Sequence, residues 1–74
     1  MIDLPAMGRP RKRSVSIDGH ATSITLEDAF WDGLRALART KGLTVAQAVA
    51  AIDRGRPPDV GLATAVRLTV LAAR

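Results

Sequence analysis

The feature that most constrains this chain is a turn signal between two short alternating segments. Asp18-Gly19 separates "RSVSI", which ends at Ile17, from "HATSITL", which begins at His20. Apolar and polar residues alternate on both sides, which is typical of strands with one buried face. Asp and Gly both tolerate a positive φ, as the two central residues of a tight hairpin turn require. The pattern therefore predicts a β-hairpin.

The register of this hairpin sorts its side chains onto two faces. A two-residue turn pairs Ile17 with His20, Val15 with Thr22, and Ser14 with Ser23, and directly paired residues project from the same face. One face then carries Val15, Ile17, Thr22 and Ile24. The opposite face is small and mostly hydroxylic, and carries Ser14, Ser16, Ala21, Ser23 and Thr25.

A first helix is predicted directly after the hairpin. Thr25-Leu26-Glu27-Asp28 has the form of a capping box, so we expect Thr25 to be the N-cap. An apolar stripe at helical spacing follows, and Lys41-Gly42 marks the end, with Gly42 suited to the left-handed position after a helix. The stripe consists of Leu26, Phe30, Leu34, Leu37 and Ala38.

Two further segments are predicted to be helical. Thr44 and Gln47 form a second capping box, and the helix that they begin should end at Gly55, because the "RPPD" of residues 56–59 cannot continue it. The final segment, "LATAVRLTVLAAR", is rich in alanine and leucine, which favours a helix, although its β-branched residues leave a strand open. Its shared face would carry Leu62, Ala65, Val66, Thr69 and Val70.

Size and composition predict one domain that needs a partner and performs no catalysis. A chain of 74 residues with one Phe, one Trp and no cysteine can build only a thin aliphatic core. A lone hairpin is marginal in water, so a second copy is the simplest source of stability. His20, the only histidine, has no ligand partners at metal spacing. We expect no metal, no cofactor, no membrane span and no enzymatic activity, in a reducing cytoplasm.

Positive charge is concentrated near the start of the chain. Eleven basic residues oppose seven acidic ones, for a net charge of +4. Four of the basic residues fall within five positions, and such a cluster attracts phosphate backbones. Residues 1–12 are predicted to be a flexible basic arm and 13–74 the folded domain, with Met7 as an alternative start. A solvated tail is the other interpretation of this cluster, which consists of Arg9, Arg11, Lys12 and Arg13.

The stretch "GHATSITLEDAFW" resembles the ribbon-helix-helix DNA-binding proteins, in particular a bacterial subgroup with the signature GH-x-TS-x-x-LE-x-x-FW. The resemblance covers roughly residues 11–72 and includes the C-terminal piece. It implies a mainly α fold with a short β-ribbon, an intertwined homodimer, and a third helix at the C-terminus. It also implies that a two-stranded antiparallel ribbon enters the major groove of DNA. The signature residues are Gly19, His20, Thr22, Ser23, Leu26, Glu27, Phe30 and Trp31.

The resemblance also assigns roles to residues. The outward strand positions, which would face the bases, are Ala21, Ser23 and Thr25, and the start of the second helix, at Thr44 and Val45, would contact a phosphate. A solvent-facing strand and a plain helix cap are the alternatives. The core of the expected dimer consists of Ile24, Leu26, Phe30, Trp31, Leu34, Val49 and Ile52.

The function predicted from these features is sequence-specific regulation of transcription, as a repressor that binds DNA as a homodimer or higher assembly near the nucleoid. A dimerisation or adaptor module for a protein partner, and an antitoxin-type autoregulator, are the alternatives. The predicted hairpin raises a conflict, because two hairpins would give a dimer four strands and the major groove admits two. Either residues 13–17 leave the hairpin when DNA binds, or DNA is read in another way.

Overall fold

The computed structural model describes residues 1–73 and contains one hairpin followed by three helices. Residues 1–10 form no helix or strand. The first strand begins two residues before the predicted end of the arm, so that Arg11 and Lys12 belong to the hairpin. The elements are β1 (Arg11–Ile17), β2 (His20–Leu26), α1 (Asp28–Thr40), α2 (Val45–Gly55) and α3 (Leu62–Ala72).

The hairpin has the predicted turn and register. Asp18 and Gly19 have φ values of 52° and 81°, the positive pair that a type I′ turn requires. Ile17 pairs with His20 and Ser14 with Ser23, as the two-residue turn predicts. The aliphatic face lies against the helices, whereas the hydroxylic face is exposed. Alternation of apolar and polar residues thus identified both faces correctly.

The predicted start of α1 is wrong by two residues. Glu27 is the N-cap, and its side chain makes no capping hydrogen bond. Thr25 lies instead in β2, where it pairs with Lys12. Strand pairing continues to Leu26, which holds Thr25 in an extended conformation and delays the helix. A ladder contact has therefore displaced a locally plausible cap.

The turn between α1 and α2 follows the prediction. Gly42 has a φ of 69°, and its N–H donates to the Arg39 carbonyl oxygen at 3.1 Å. The Leu43 N–H donates to the Ala38 carbonyl oxygen at 2.9 Å, which completes a Schellman motif. Thr44 then caps α2 in a complete capping box with Gln47.

The third segment is a helix, and it packs on both other helices. Ala65 and Val66 are buried, and Val70 lies against Gly33 of α1. A Cβ atom placed on Gly33 would lie 2.5 Å from Cγ1 of Val70, so this glycine permits a close approach of α1 and α3. The predicted apolar face of α3 is thus confirmed. No helix among residues 1–73 is long and apolar enough to cross a membrane.

The core is small and draws on every element except the arm. Its fully buried side chains are Leu26 of β2, Leu34 of α1, Val49 of α2 and Val66 of α3. Four of the residues predicted for a dimer core are therefore buried within one chain, namely Ile24, Leu26, Leu34 and Val49. The other three, Phe30, Trp31 and Ile52, are only partly buried.

Candidate nucleic-acid interface

The hairpin presents an outer face that points away from the helices. The three residues predicted to face bases lie on it, and each pairs with an outward residue of β1. We call this set the outer face throughout; it consists of Lys12, Ser14, Ser16, Ala21, Ser23 and Thr25.

The chemistry of the outer face suits polar recognition. Four hydroxyl groups can each donate and accept hydrogen bonds, and the Lys12 ammonium adds three donors. No carboxylate belongs to the set, so nothing on it repels a phosphate. The nearest acid along the hairpin, Asp18, sits in the turn, where its Oδ1 lies 3.9 Å from Nη1 of Arg54. The face is therefore neutral to positive along its whole length.

Arg13, predicted to contact phosphate, is instead engaged within the chain. Its Nη2 donates to the Leu26 carbonyl oxygen at 3.1 Å and also to the Asp28 carboxylate. Its guanidinium carbon lies 5.0 Å from the centre of the Trp31 ring, in the geometry of a cation–π contact. Only 15% of the side chain is exposed. These contacts, which we call the Arg13 clasp, join β1 to the start of α1.

The Arg13 clasp also affects the Asp28 carboxyl group. The hydrogen bond from Arg13 lowers the pKa of Asp28, and the charge of Arg11 contributes in the same direction. Arg11 itself is 69% exposed, with Nη1 3.6 Å from Oδ1 of Asp28. Since exposed pairs at this distance are weak, Arg11 stays available to an external anion.

The remaining basic residues near the hairpin are exposed. Arg9 precedes β1, and Lys12 lies on the outer face. Among residues 1–73, neither has an acidic group within salt-bridge distance. Together with Arg11 they form an uncompensated positive region at one end of the hairpin.

The start of α2 lies beside the other end of the hairpin. One shallow hollow is lined by Ser16 of β1 and by Ala46 and Gln47 of α2. Thr44 accepts from the Gln47 N–H at 3.1 Å, and the Thr44 N–H donates to Oε1 of Gln47 at 2.8 Å. The cap thus uses the groups of Thr44 itself, whereas the first N–H groups inside α2 lack intrahelical partners and suit an anion. Val45, the second predicted phosphate contact, is partly buried.

Arg67 is a structural contact that sequence reasoning missed. Its Nε donates to Oε1 of Glu27 at 2.9 Å, and its Nη2 donates to the Thr25 carbonyl oxygen at 3.3 Å. The pKa of Glu27 is lowered, first by a hydrogen bond from its own backbone and then by Arg67. No local pattern could reveal a pair that lies 40 residues apart in the chain.

Metal binding and catalysis have no candidate residues in the part of the chain that is described. No group of three His, Cys, Asp or Glu side chains is close enough there to hold a metal ion. His20 is exposed at the first position of β2. The polar chemistry of residues 1–73 is therefore concentrated on the hairpin and at the start of α2.

Comparison with known protein families gives one match. A family profile described as a ribbon-helix-helix domain matches residues 10–73, which is most of the chain. No curated protein and no solved structure matches the chain significantly. The match includes the hairpin and all three helices, and it identifies the domain family without distinguishing the bacterial subgroup.

Proposed function

The chain belongs to the ribbon-helix-helix family, whose members are typically dimeric DNA-binding regulators of transcription, and we propose that this protein is one of them. The observation that carries the proposal is the outer face of the hairpin. It is small, hydroxylic and free of carboxylates, and it lies beside the basic residues Arg9 and Arg11. A face of this width and chemistry fits the major groove.

Contacts in the proposed complex fall into two classes. Arg9 and Arg11, together with the first turn of α2 at Thr44 and Val45, contact phosphates and set the position of the protein on the duplex. Ala21, Ser23 and Thr25 lie against base edges, where the hydroxyls donate or accept and the Ala21 methyl group packs against a thymine methyl. Because these side chains are short, the hairpin must approach the bases closely.

A homodimer is the proposed assembly, and the helices offer a surface for it. A groove of about 560 Å³ lies between the end of α1, α2 and the end of α3. Leu37, Leu43 and Ile52 line it, and most of the remaining lining is alanine. Apolar exposure of this kind on so small a domain favours association with a second copy.

Repression is the proposed regulatory outcome. A small domain without catalytic groups can regulate most simply by occupying its site and excluding other proteins from the same DNA. The proposed location is the bacterial cytoplasm, on the nucleoid. An antitoxin-type role is less favoured, because the C-terminal segment to Ala72 is a helix packed in the core rather than a free tail.

Selection from fragmented genomic DNA tests the proposal. The protein is immobilised, the retained fragments are sequenced, and binding to an enriched fragment is measured between 50 and 200 mM salt. We expect a defined set of enriched fragments and an affinity that falls steeply with salt, with a log–log slope of about −0.9 per phosphate contact. Enrichment of no fragment above a bead control, or binding that salt does not change, would refute DNA-specific function.

A further inference from the structure

The second strand of the hairpin occupies a place that matters for the family. A ribbon built between two chains takes one strand from each, and the strand that directly precedes α1 would be the one contributed. Here that strand is β2, and β1 of the same chain pairs with it over the seven positions from Arg11–Leu26 to Ile17–His20. The edge of β2 that faces β1 is therefore filled from within the chain.

Packing and charge both hold β1 in this position. Val15 and Ile17 pack against the same core as Ile24 and Leu26 of β2. The Arg13 clasp fixes the other end of β1 to the junction between β2 and α1. Removal of β1 would expose two aliphatic side chains and would strip a largely buried guanidinium of its partners, so β1 is an integral strand of the domain.

We propose that β1 takes the place of a partner strand, so that each chain carries a complete two-stranded DNA-reading ribbon. Lys12, Ser14 and Ser16 then belong to the reading surface, opposite Thr25, Ser23 and Ala21 respectively. This inference rests on the proposed function, and it removes the conflict of four strands in one groove. A second copy contributes through the helices and supplies no strand.

Lys12 is the specificity-determining residue of this arrangement. Strand alternation places Arg11 and Arg13 on the inner side of the hairpin, where both approach Asp28. Lys12 alone of the basic residues in β1 projects from the outer face, opposite Thr25. It is also the only long side chain there, and its ammonium can reach O6 and N7 of a guanine in the major groove.

Disulfide trapping tests the topology of the ribbon without DNA. The chain has no cysteine, and Ser14 and Ser23 are directly opposed, within the Cα separation that a disulfide spans. Ser14→Cys/Ser23→Cys should oxidise to a species that runs as a 7.8 kDa monomer on a denaturing gel without reductant, at a rate independent of protein concentration. Ser16→Cys/Thr25→Cys, whose positions are four residues out of register, is the matched control and should form no such bond.

Two outcomes would overturn the intrachain ribbon. The first is a covalent dimer, or unreacted thiols, from Ser14→Cys/Ser23→Cys. The second is rapid covalent dimerisation of Ser23→Cys alone, because Ser23 is the central residue of β2 and would meet its own copy in a ribbon built from two β2 strands.

Selection from a random duplex pool tests the role of Lys12. We expect Lys12→Gln to lose preference for guanine at one or more positions by about 5-fold to 100-fold, the range that base-edge contacts give. Arg39→Gln removes the same charge from the last turn of α1, about 16 Å along the helix from Asp28, and should leave preferences unchanged. Uniform weakening by Lys12→Gln with preserved preferences would place Lys12 on phosphate and overturn its assignment. If the parent enriches no sequence, the proposed function fails, while the disulfide result stands by itself.

Discussion

Replacement of Gly33 by alanine is a direct test of how α3 docks on α1. The added Cβ would lie 2.5 Å from Cγ1 of Val70, a separation that real Cβ atoms essentially never show. Val70 is partly buried and packs against the core, so relief requires α3 to shift or Val70 to leave its position. Either change loosens the contact through which α3 reaches the rest of the domain.

The size of the effect follows from two opposing contributions. Overpacking of this kind costs about 1–3 kcal/mol. Replacing glycine by alanine inside a helix contributes about 1 kcal/mol in the stabilising direction. The net expectation for Gly33→Ala is a loss of about 0–2 kcal/mol. Val70→Ala removes the clashing methyl, so the double variant should recover the overpacking cost as a favourable coupling of about 1–3 kcal/mol.

Thermal unfolding of the four proteins at one fixed concentration measures this coupling. A change of 1 kcal/mol corresponds to about 4–8 °C in Tm for a domain of this size. Gly55→Ala is the matched control, because a Cβ atom there meets nothing within 4 Å, and its Tm should stay the same or rise. Additive changes in the Gly33 and Val70 cycle would show that the two residues do not touch, and the packing of α3 would have to be redrawn.

Further changes separate the surface from the core. Ser23→Ala should keep its Tm and lose DNA affinity, whereas Ile24→Ser should lose more than about 2 kcal/mol of stability, since Ile24 is 3% exposed; titrations and melts of both variants test this. Thr44→Ala should cost about 1 kcal/mol in a denaturant titration. The lowered pKa of Asp28 means that its ion pair with Arg13 stabilises the fold at neutral pH and is lost as pH falls below about 4. Asp28→Asn should therefore flatten the acid limb of a stability–pH profile.

Local patterns were sufficient to predict the hairpin and the ends of the helices. Asp18-Gly19 specifies its own turn, and strict alternation then decides which side chains face the helices. Gly42 and Thr44 act through their own backbone and side chain, so the turn between α1 and α2 was also readable. In each case the residues that decide the structure lie within four positions of one another.

Contacts between distant segments were beyond the reach of the same reasoning. Thr25 satisfies the local pattern of a cap, but its pairing with Lys12 keeps it in the strand. Arg13 looked like one member of a basic cluster, because nothing in the sequence indicates that Trp31 and Asp28 lie beneath it. The charge of the cluster was correct as a sum, while the partners of each arginine depended on the fold.

The junction between β2 and α1 connects these findings. Arg13 of β1 bonds the Leu26 carbonyl oxygen, and Arg67 of α3 bonds that of the preceding residue, Thr25. Two elements far apart in sequence therefore grip consecutive carbonyls at the point where the ribbon becomes a helix. Since Thr25 ends the outer face, its orientation depends on both α3 and β1. The third helix thus contributes to the proposed reading surface by fixing its end, even though none of its own residues lies on that surface.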